Sequence, residues 1–573
     1  MLRRHAKLQR WPFLILFIAS AWLAPLQAAS PPAAAIASAH PLATDAGHEI
    51  LALGGNAFDA AVAITATLAV VEPTGSGLGG GGFWLLHRAR DHHEVMIDGR
   101  ERAPLAAHRD MYLDGKATPC AAPPCASGEA IPSLSVDGPL AAAIPGAPAA
   151  MVHLAQKYGR LPLAKSLAPA IRHARNGFAI SETYRRMAGL RLDALRKSAA
   201  AARIFLNEND VPPAGYILKQ PELAATLEAI AKHGTAGFYD GPIAEKLING
   251  VRGAGGIWTQ QDLASYRVIE RKPLTGNYRG LRITSAAPPS SGGVALITML
   301  NILAGYDLNR LDPVTRDHLI IEAMRRAYRD RAIYLGDPDY VTVPLRRLTH
   351  PLYADGLRAS IRPDKATPSS ALPGEATLDA GNDTTHFSVL DRQGNRVAAT
   401  LSINFPFGAA FTPPGTGVLL NDEMDDFSAK PGAPNVYGLV GGEANAIAPG
   451  KRPLSSMTPT FLENERGVAI LGTPGGSRII SMVLLATLDF AAGNDPASWV
   501  GVKRLHHQFL PDMVQHEPGT FDANQTAALE KLGHTLKQVD SPYGNMQAIL
   551  WDRKLGKVLA ASDPRGGGKA QVR

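Results

Sequence analysis

The residues with the clearest capacity for chemistry in this sequence are Asn382-Asp383-Thr384-Thr385-His386-Phe387-Ser388-Val389. A threonine hydroxyl is a weak nucleophile until a base lies beside it, and scission of the chain before Thr384 would supply that base as a new α-amine. Such amines titrate at about 7.7 to 8.0, so a useful share is unprotonated near neutral pH. Nucleophile and base then belong to one residue, and the β-branch of threonine restricts χ1, leaving the hydroxyl less freedom to lose. Asp391 to Asn395 reads as a turn; a hairpin pairing Leu390 with Arg396 sets Ser402 opposite Thr384, one hydroxyl facing another. Taken alone, Thr-Thr-His at the head of an alternating run is usually only a strand start.

The elements that must position these groups change character along the chain. Ala43 to Leu53 reads as a helix stopped at Gly54 and Gly55, and Ala57 to Val71 as a second, almost wholly apolar and therefore buried helix. A polar-poor Ala/Pro linker precedes them. Beyond the glycine run Gly75 to Gly82 come the apolar Phe83 to Leu86 and the segment Val95 to Pro104, then a helical stretch from about Ala147 through Ile180 to Lys197. Thr315 to Leu335 carries mixed charges and reads as an amphipathic surface helix. From Thr384 onward short alternating runs predominate: Thr384 to Leu390, Arg396 to Asn404, Gly467 to Leu471 and Gln547 to Trp551 read as strands, with helices near Ile479 to Ala492 and Ala523 to Leu532.

Other motifs carry less. Gly75, Gly77 and Gly80 fit the G-x-G-x-x-G spacing of dinucleotide sites, but a helix precedes them and a strand follows, the reverse of that context; a tight backbone turn is the better reading. Neither His92-His93 nor His506-His507 chelates well alone, because adjacent side chains diverge on a helix or a strand. The G-x-S-x-G and H-E-x-x-H signatures do not occur.

The 573 residues, 45% hydrophobic and 19% charged, are enough for a large core over more than one folding unit. Arg3, Arg4, Lys7 and Arg10, the apolar run Phe13 to Leu26 and the small residues at Ala28 and Ala29 have the layout of a secretory signal peptide, too short in its apolar part for a spanning helix. The net charge is +7, four of which lie in that leader, so nucleic acid is not an expected partner. Export places Cys120 and Cys125 in an oxidising compartment, where a small loop-closing disulfide is the favoured reading and a zinc site is not.

Several long motifs of this chain resemble the gamma-glutamyltransferase (glutathione hydrolase) family. They include Pro41-Leu42-Ala43-Thr44, Gly54-Gly55-Asn56-Ala57, Thr384-Thr385-His386, Asn421 to Asp426 with Phe427 to Gly432, Arg452 to Met457, Gly472 to Arg478, and Ser562-Asp563-Pro564-Arg565. The resemblance implies an α+β fold, a four-layer αββα sandwich of the N-terminal-nucleophile type. It implies a signal peptide (1–29), a large fragment (30–383) and a small fragment (384–573) that remain associated after self-cleavage between Asp383 and Thr384. It further implies Gly475 and Gly476 as the oxyanion hole, Arg100 with Ser455 and Ser456 on the substrate carboxylate, Asn404, Glu423 and Asp426 on its α-amino group, and Tyr437 as a lid. A planar guanidinium suits the first task, and two carboxylates around one ammonium suit the second. Position 402 is Ser where family members often carry Thr, and Cys120 to Cys125 sits in an apparent insertion. The activity implied is cleavage of γ-glutamyl amides such as glutathione, with water or an amino acid as acceptor, in the periplasm or outside the cell, with no metal or organic cofactor. Two rivals are a glutaryl-cephalosporin-type acylase and an inactive exported amino-acid-binding protein.

Overall fold

The computed structural model describes residues 30–112, 134–372, 384–428 and 442–573. Two antiparallel sheets dominate them. The first has seven strands in the order Lys569–Val572, Ala35–Ser38, Thr385–Leu390, Arg396–Ser402, Gly81–Arg88, His93–Gly99, Ile269–Arg271. The second has six, in the order Lys557–Ser562, Gln547–Asp552, Gly467–Gly472, Thr460–Glu463, Leu281–Ser285, Leu274–Tyr278.

The hairpin at the centre of the first sheet forms because Asp391 closes it. One carboxylate oxygen of Asp391 accepts from the amides of Gln393 and Asn395, both at 2.9 Å, and the other from Ala57 N at 2.9 Å. Register then runs from Leu390 opposite Arg396 to Thr385 opposite Leu401. Side chains alternate in strands: Phe387, Val389, Val397, Ala399 and Leu401 pack into one hydrophobic cluster with the helix Ala57–Val71, whereas Leu390 and Ala398 join Phe461, Val468 and Ile470 of the second sheet in another. By the same alternation Thr384 and Ser402 lie on the side toward the second sheet, and Thr385 lies on the helix side.

The helix Ala57–Val71 is buried along its whole length, as its uniform small and apolar composition requires. Its start is fixed by a reciprocal cap in which Asn56 accepts from Phe58 N and Asp59 N while Asp59 accepts from Asn56 N. On the second sheet lie the helices Gly292–Leu303 and Arg478–Ala491. No helix among the described residues is long and apolar enough to cross a membrane.

Three expectations need correction. The Ala/Pro-rich segment before the first helix is no linker: Ala35–Ser38 is a fully buried strand between Lys569–Val572 and Thr385–Leu390. A strand covered on both faces has no polar alternation to betray it. The stretch Ala147 to Lys197 is not continuous but breaks at Pro162 and at Gly177 (φ +85°), with Phe178–Ala179 pairing as a short strand with Ile217–Leu218. The mixed-charge helix, Pro313–Tyr334, is not a surface helix. Charges at its centre are buried in pairs: Glu322 takes Arg325 at 3.2 Å and Arg326 at 2.5 Å, and Arg325 also meets Asp512 and the Ser369 hydroxyl. Pairing is what makes such burial tolerable.

Candidate active site

Thr384 immediately precedes the strand Thr385–Leu390, with only 8% of its surface exposed, and lines a cavity of about 30 Å³ with Ser402, Asn404, Arg100, Asp426, Arg331, Ser455, Ser456 and Gly476. The glycine run beside it is shaped by close backbone approach. A Cβ on Gly75 would lie 3.2 Å from the Thr384 carbonyl oxygen, on Gly80 2.1 Å from that of Ser402, and on Gly79 2.0 Å from that of Leu419. Ser402 Oγ accepts from Asn404 N at 2.7 Å and so holds Asn404 in its left-handed conformation (φ +72°), while Asn404 Nδ2 donates to the Asp422 carbonyl at 3.1 Å.

Opposite the hydroxyls stands a dense group of charges. Arg100 follows the strand His93–Gly99 and is 1% exposed. Its guanidinium lies 2.5 Å from Glu423, 3.3 Å from Glu101 and in close contact with Asp426; a helical turn over Glu423–Asp426 presents both acids from one short segment. Burial alone would lower Arg100, but Glu423, Asp426 and Glu101 outweigh it and hold the guanidinium charged. Burial drives Glu423 well above the ordinary carboxylate range and Glu101 up to about 7, with Arg100 opposing both. Neither carboxylate oxygen of Glu423 meets a donor with hydrogen-bond geometry, so its contact with Arg100 is an ion pair without a well-formed hydrogen bond.

Gly475 (φ +137°) and Gly476 (φ +55°) form the turn between the strand Gly467–Gly472 and the helix Arg478–Ala491. Their conformations require glycine. They sit at the positive end of the helix, where backbone amides can meet developing negative charge.

The structure thus gathers Thr384, Ser402, Asn404, Arg100, Asp426, Ser455, Ser456 and Gly476 around one cavity, with Gly475 and Glu423 directly adjacent in sequence or contact. The acids and Arg100 are buried, not surface ion pairs. Asp383, Tyr437, Cys120 and Cys125 lie outside the described residues.

Two groups at the site escaped the sequence reading. Arg331, on the helix Pro313–Tyr334, reaches the cavity and donates to Ser456 Oγ at 3.2 Å and to Ser291 Oγ at 3.0 Å. Glu72, just after the helix Ala57–Val71, accepts from Thr385 Oγ1 at 2.6 Å, and burial pushes its carboxyl up to about 7 against that hydrogen bond. Elsewhere, His318, Glu322 and His534 stand within reach of a common point, but the two imidazoles bond each other at 2.7 Å and Glu322 is held by two arginines.

Mixed helix and sheet around a cavity of hydroxyls and opposed charges define a hydrolase or group-transferring enzyme. The family model described as Gamma-glutamyltranspeptidase matches residues 43–572, and the chain belongs to that family. The Glutathione hydrolase proenzyme of Escherichia coli (strain K12) is 40% identical over 538 residues, covering 92% of this chain and 90% of that protein. Among solved structures, cephalosporin acylase from Bacillus halodurans superposes with a TM-score of 0.81 at 28% identity, over 97% of this chain and 99% of its own. Helicobacter pylori gamma-glutamyltranspeptidase is 41% identical with a TM-score of 0.55, over 59% of this chain and 94% of the matched chain.

Proposed function

We propose that this protein is an exported γ-glutamyl hydrolase and transferase that acts on glutathione and related γ-glutamyl amides after cutting itself between Asp383 and Thr384. The fragments 30–383 and 384–573 remain together as a heterodimer in a four-layer αββα arrangement, helices outside and the two sheets within. The observation that carries the reading is the single cavity in which the Thr384 side faces Ser402 on one hand and the Arg100, Glu423 and Asp426 cluster on the other.

In the first step the Thr384 hydroxyl attacks the γ-carbonyl, its own α-amine takes the proton, and the amine product departs with a proton returned to it. The amides of Gly475 and Gly476 stabilise the oxyanion, worth about 2.7 to 4 kcal/mol per donor in comparable sites. Water or an amino acid then attacks the glutamyl ester and restores Thr384. Arg100, Ser455 and Ser456 receive the α-carboxylate; Asn404, Glu423 and Asp426 receive the α-ammonium, and Tyr437 covers the bound group. A cavity of about 30 Å³ holds no more than a water molecule. Binding therefore opens the Arg100 ion pairs, and the zwitterionic substrate replaces each internal partner with a charge of like sign.

Thr384→Ala is the decisive variant. It should remain one uncut chain by intact mass and release no amine from a γ-glutamyl anilide; fragment formation or turnover would refute the assignment. The structural likeness to a cephalosporin acylase makes glutaryl amides the comparison substrates. Glutaryl lacks the amine that Glu423 and Asp426 would hold, so γ-glutamyl amides should be turned over with the higher kcat/KM.

A further inference from the structure

Arg331 is the most unusual charge in the cavity. Its side chain is almost wholly buried, and among the described residues no carboxylate lies within ion-pairing distance of it. By contrast Arg100 has Glu423 and Asp426, Arg325 and Arg326 share Glu322, and Arg452 lies 3.3 Å from Asp98. What Arg331 has instead is hydroxyls, Ser291 Oγ at 3.0 Å and Ser456 Oγ at 3.2 Å. A buried cation with no carboxylate in contact is costly, and it persists where something that comes and goes compensates it.

The hydrogen-bond directions show which way that something lies. Ser291 Oγ accepts from Arg331 and passes its own proton to the Ser455 carbonyl at 2.7 Å, a bond that fixes the Ser455-Ser456 backbone. Ser456 Oγ likewise accepts from Arg331, and Ser455 Oγ accepts from Met457 N at 3.1 Å. A hydroxyl has one proton to give. With lone pairs engaged from within, and no internal acceptor for either proton among the described residues, both serines are set to donate to an incoming acceptor. Arg331, Ser455, Ser456 and Arg100 line the same cavity.

We infer that Arg331 is a second, specificity-determining cation of the carboxylate pocket, polarising Ser456 and supplying a positive charge that is not ion-paired as that of Arg100 is with Glu423 and Asp426. This rests on the γ-glutamyl reading above and deepens it. The bound ammonium claims Glu423 and Asp426, the bound carboxylate claims Arg100, and Arg331 makes the pocket select ligands whose distal end carries a full negative charge. Burial lowers Arg331 to about 10, with Tyr328 and Asp426, the latter beyond ion-pairing distance, opposing it, so it stays cationic at neutral pH.

The test measures kcat and KM for a γ-glutamyl anilide and the inhibition constant of L-glutamate in the wild type, Arg331→Gln and Arg331→Lys. Glutamine keeps a donor for Ser456 without the charge; lysine keeps the charge without the fork. Removing one member of a buried charge pair weakens binding by about 30-fold or more. Arg331→Gln should therefore raise KM and the inhibition constant together by at least that factor, with kcat far less affected, and Arg331→Lys should recover most of the loss. Unchanged binding in Arg331→Gln, or equal impairment of the two variants, would overturn the inference and leave Arg331 a packing residue. Should Arg331→Gln fail to fold, Ser456→Ala is read the same way: raised KM and inhibition constant support the relay, and unchanged values sink it. Wild-type turnover of the anilide and its loss in Thr384→Ala test the underlying activity separately.

Discussion

Replacing Glu72 with Gln should change how stability depends on pH while leaving the fold intact. Glu72 accepts a hydrogen bond from Thr385, next to the nucleophile, and burial pushes its carboxyl up to about 7 in the folded chain from an ordinary 4.5. The unfolded chain therefore loses this proton first, and between those two values the native state binds more protons. Stability must fall as pH rises from about 4.5, and the loss levels off above about 7. The full difference corresponds to about 3 kcal/mol, which partial solvent contact of the side chain reduces to the order of 2. Glutamine retains the acceptor for Thr385 and does not titrate. In a Thr384→Ala background, where unfolding is that of one uncut chain, urea denaturation at pH 5 and pH 8 should show Glu72→Gln losing less stability over this interval by about 2 kcal/mol. Equal losses in the two proteins would refute the claim that an acid is buried here at an energetic cost.

Three further outcomes follow from the site. Ser402→Ala leaves Asn404 N without its acceptor, costing about 1–3 kcal/mol; fragments followed by intact mass over time should appear more slowly, whereas Ser402→Thr restores the hydroxyl and the rate. Glu423→Gln removes one acceptor for the ammonium, so the ratio of kcat/KM for γ-glutamyl over glutaryl anilides should fall by about tenfold or more. A Cβ on Gly475 would strain a φ of +137° and sit 2.6 Å from the Met482 methyl; in steady-state kinetics Gly475→Ala should lower kcat by about 10² with a smaller effect on KM.

What the sequence revealed was whatever a period or a turn could encode. The hairpin around Asp391 was legible because alternation on both sides of a turn leaves one register, and that register alone sets Ser402 across from Thr384. The buried helix Ala57–Val71 was legible from its uniform apolarity. Ala35–Ser38 was not, since four small residues carry no period once both faces are covered. Nor was the burial of Pro313–Tyr334: its charges resemble those of a solvated face, and their partners Ser369, Asp512 and Ser456 lie far along the chain. Motif matching found Arg100 but not Arg331, because nothing adjacent to Arg331 in sequence distinguishes it from the arginines at 325, 326 and 329.

The position of Arg331 bears on how such a pocket is built. A site for a zwitterion needs a cation and anions close together, and left empty they must either be hydrated or neutralise one another. Arg100 with Glu423 and Asp426 takes the second course, which accounts for both the small cavity and the clustering of like-charged acids. Self-neutralisation has a consequence: an exchange of partners between substrate and protein changes no net charge, so by itself it gives little reason to prefer a ligand bearing a carboxylate. An additional cation with no carboxylate in contact among the described residues removes that indifference. Placed on a helix where Arg325 and Arg326 are already committed to Glu322, and bonded through its side chain to the hydroxyls of Ser291 and Ser456, Arg331 can bias the pocket without closing it.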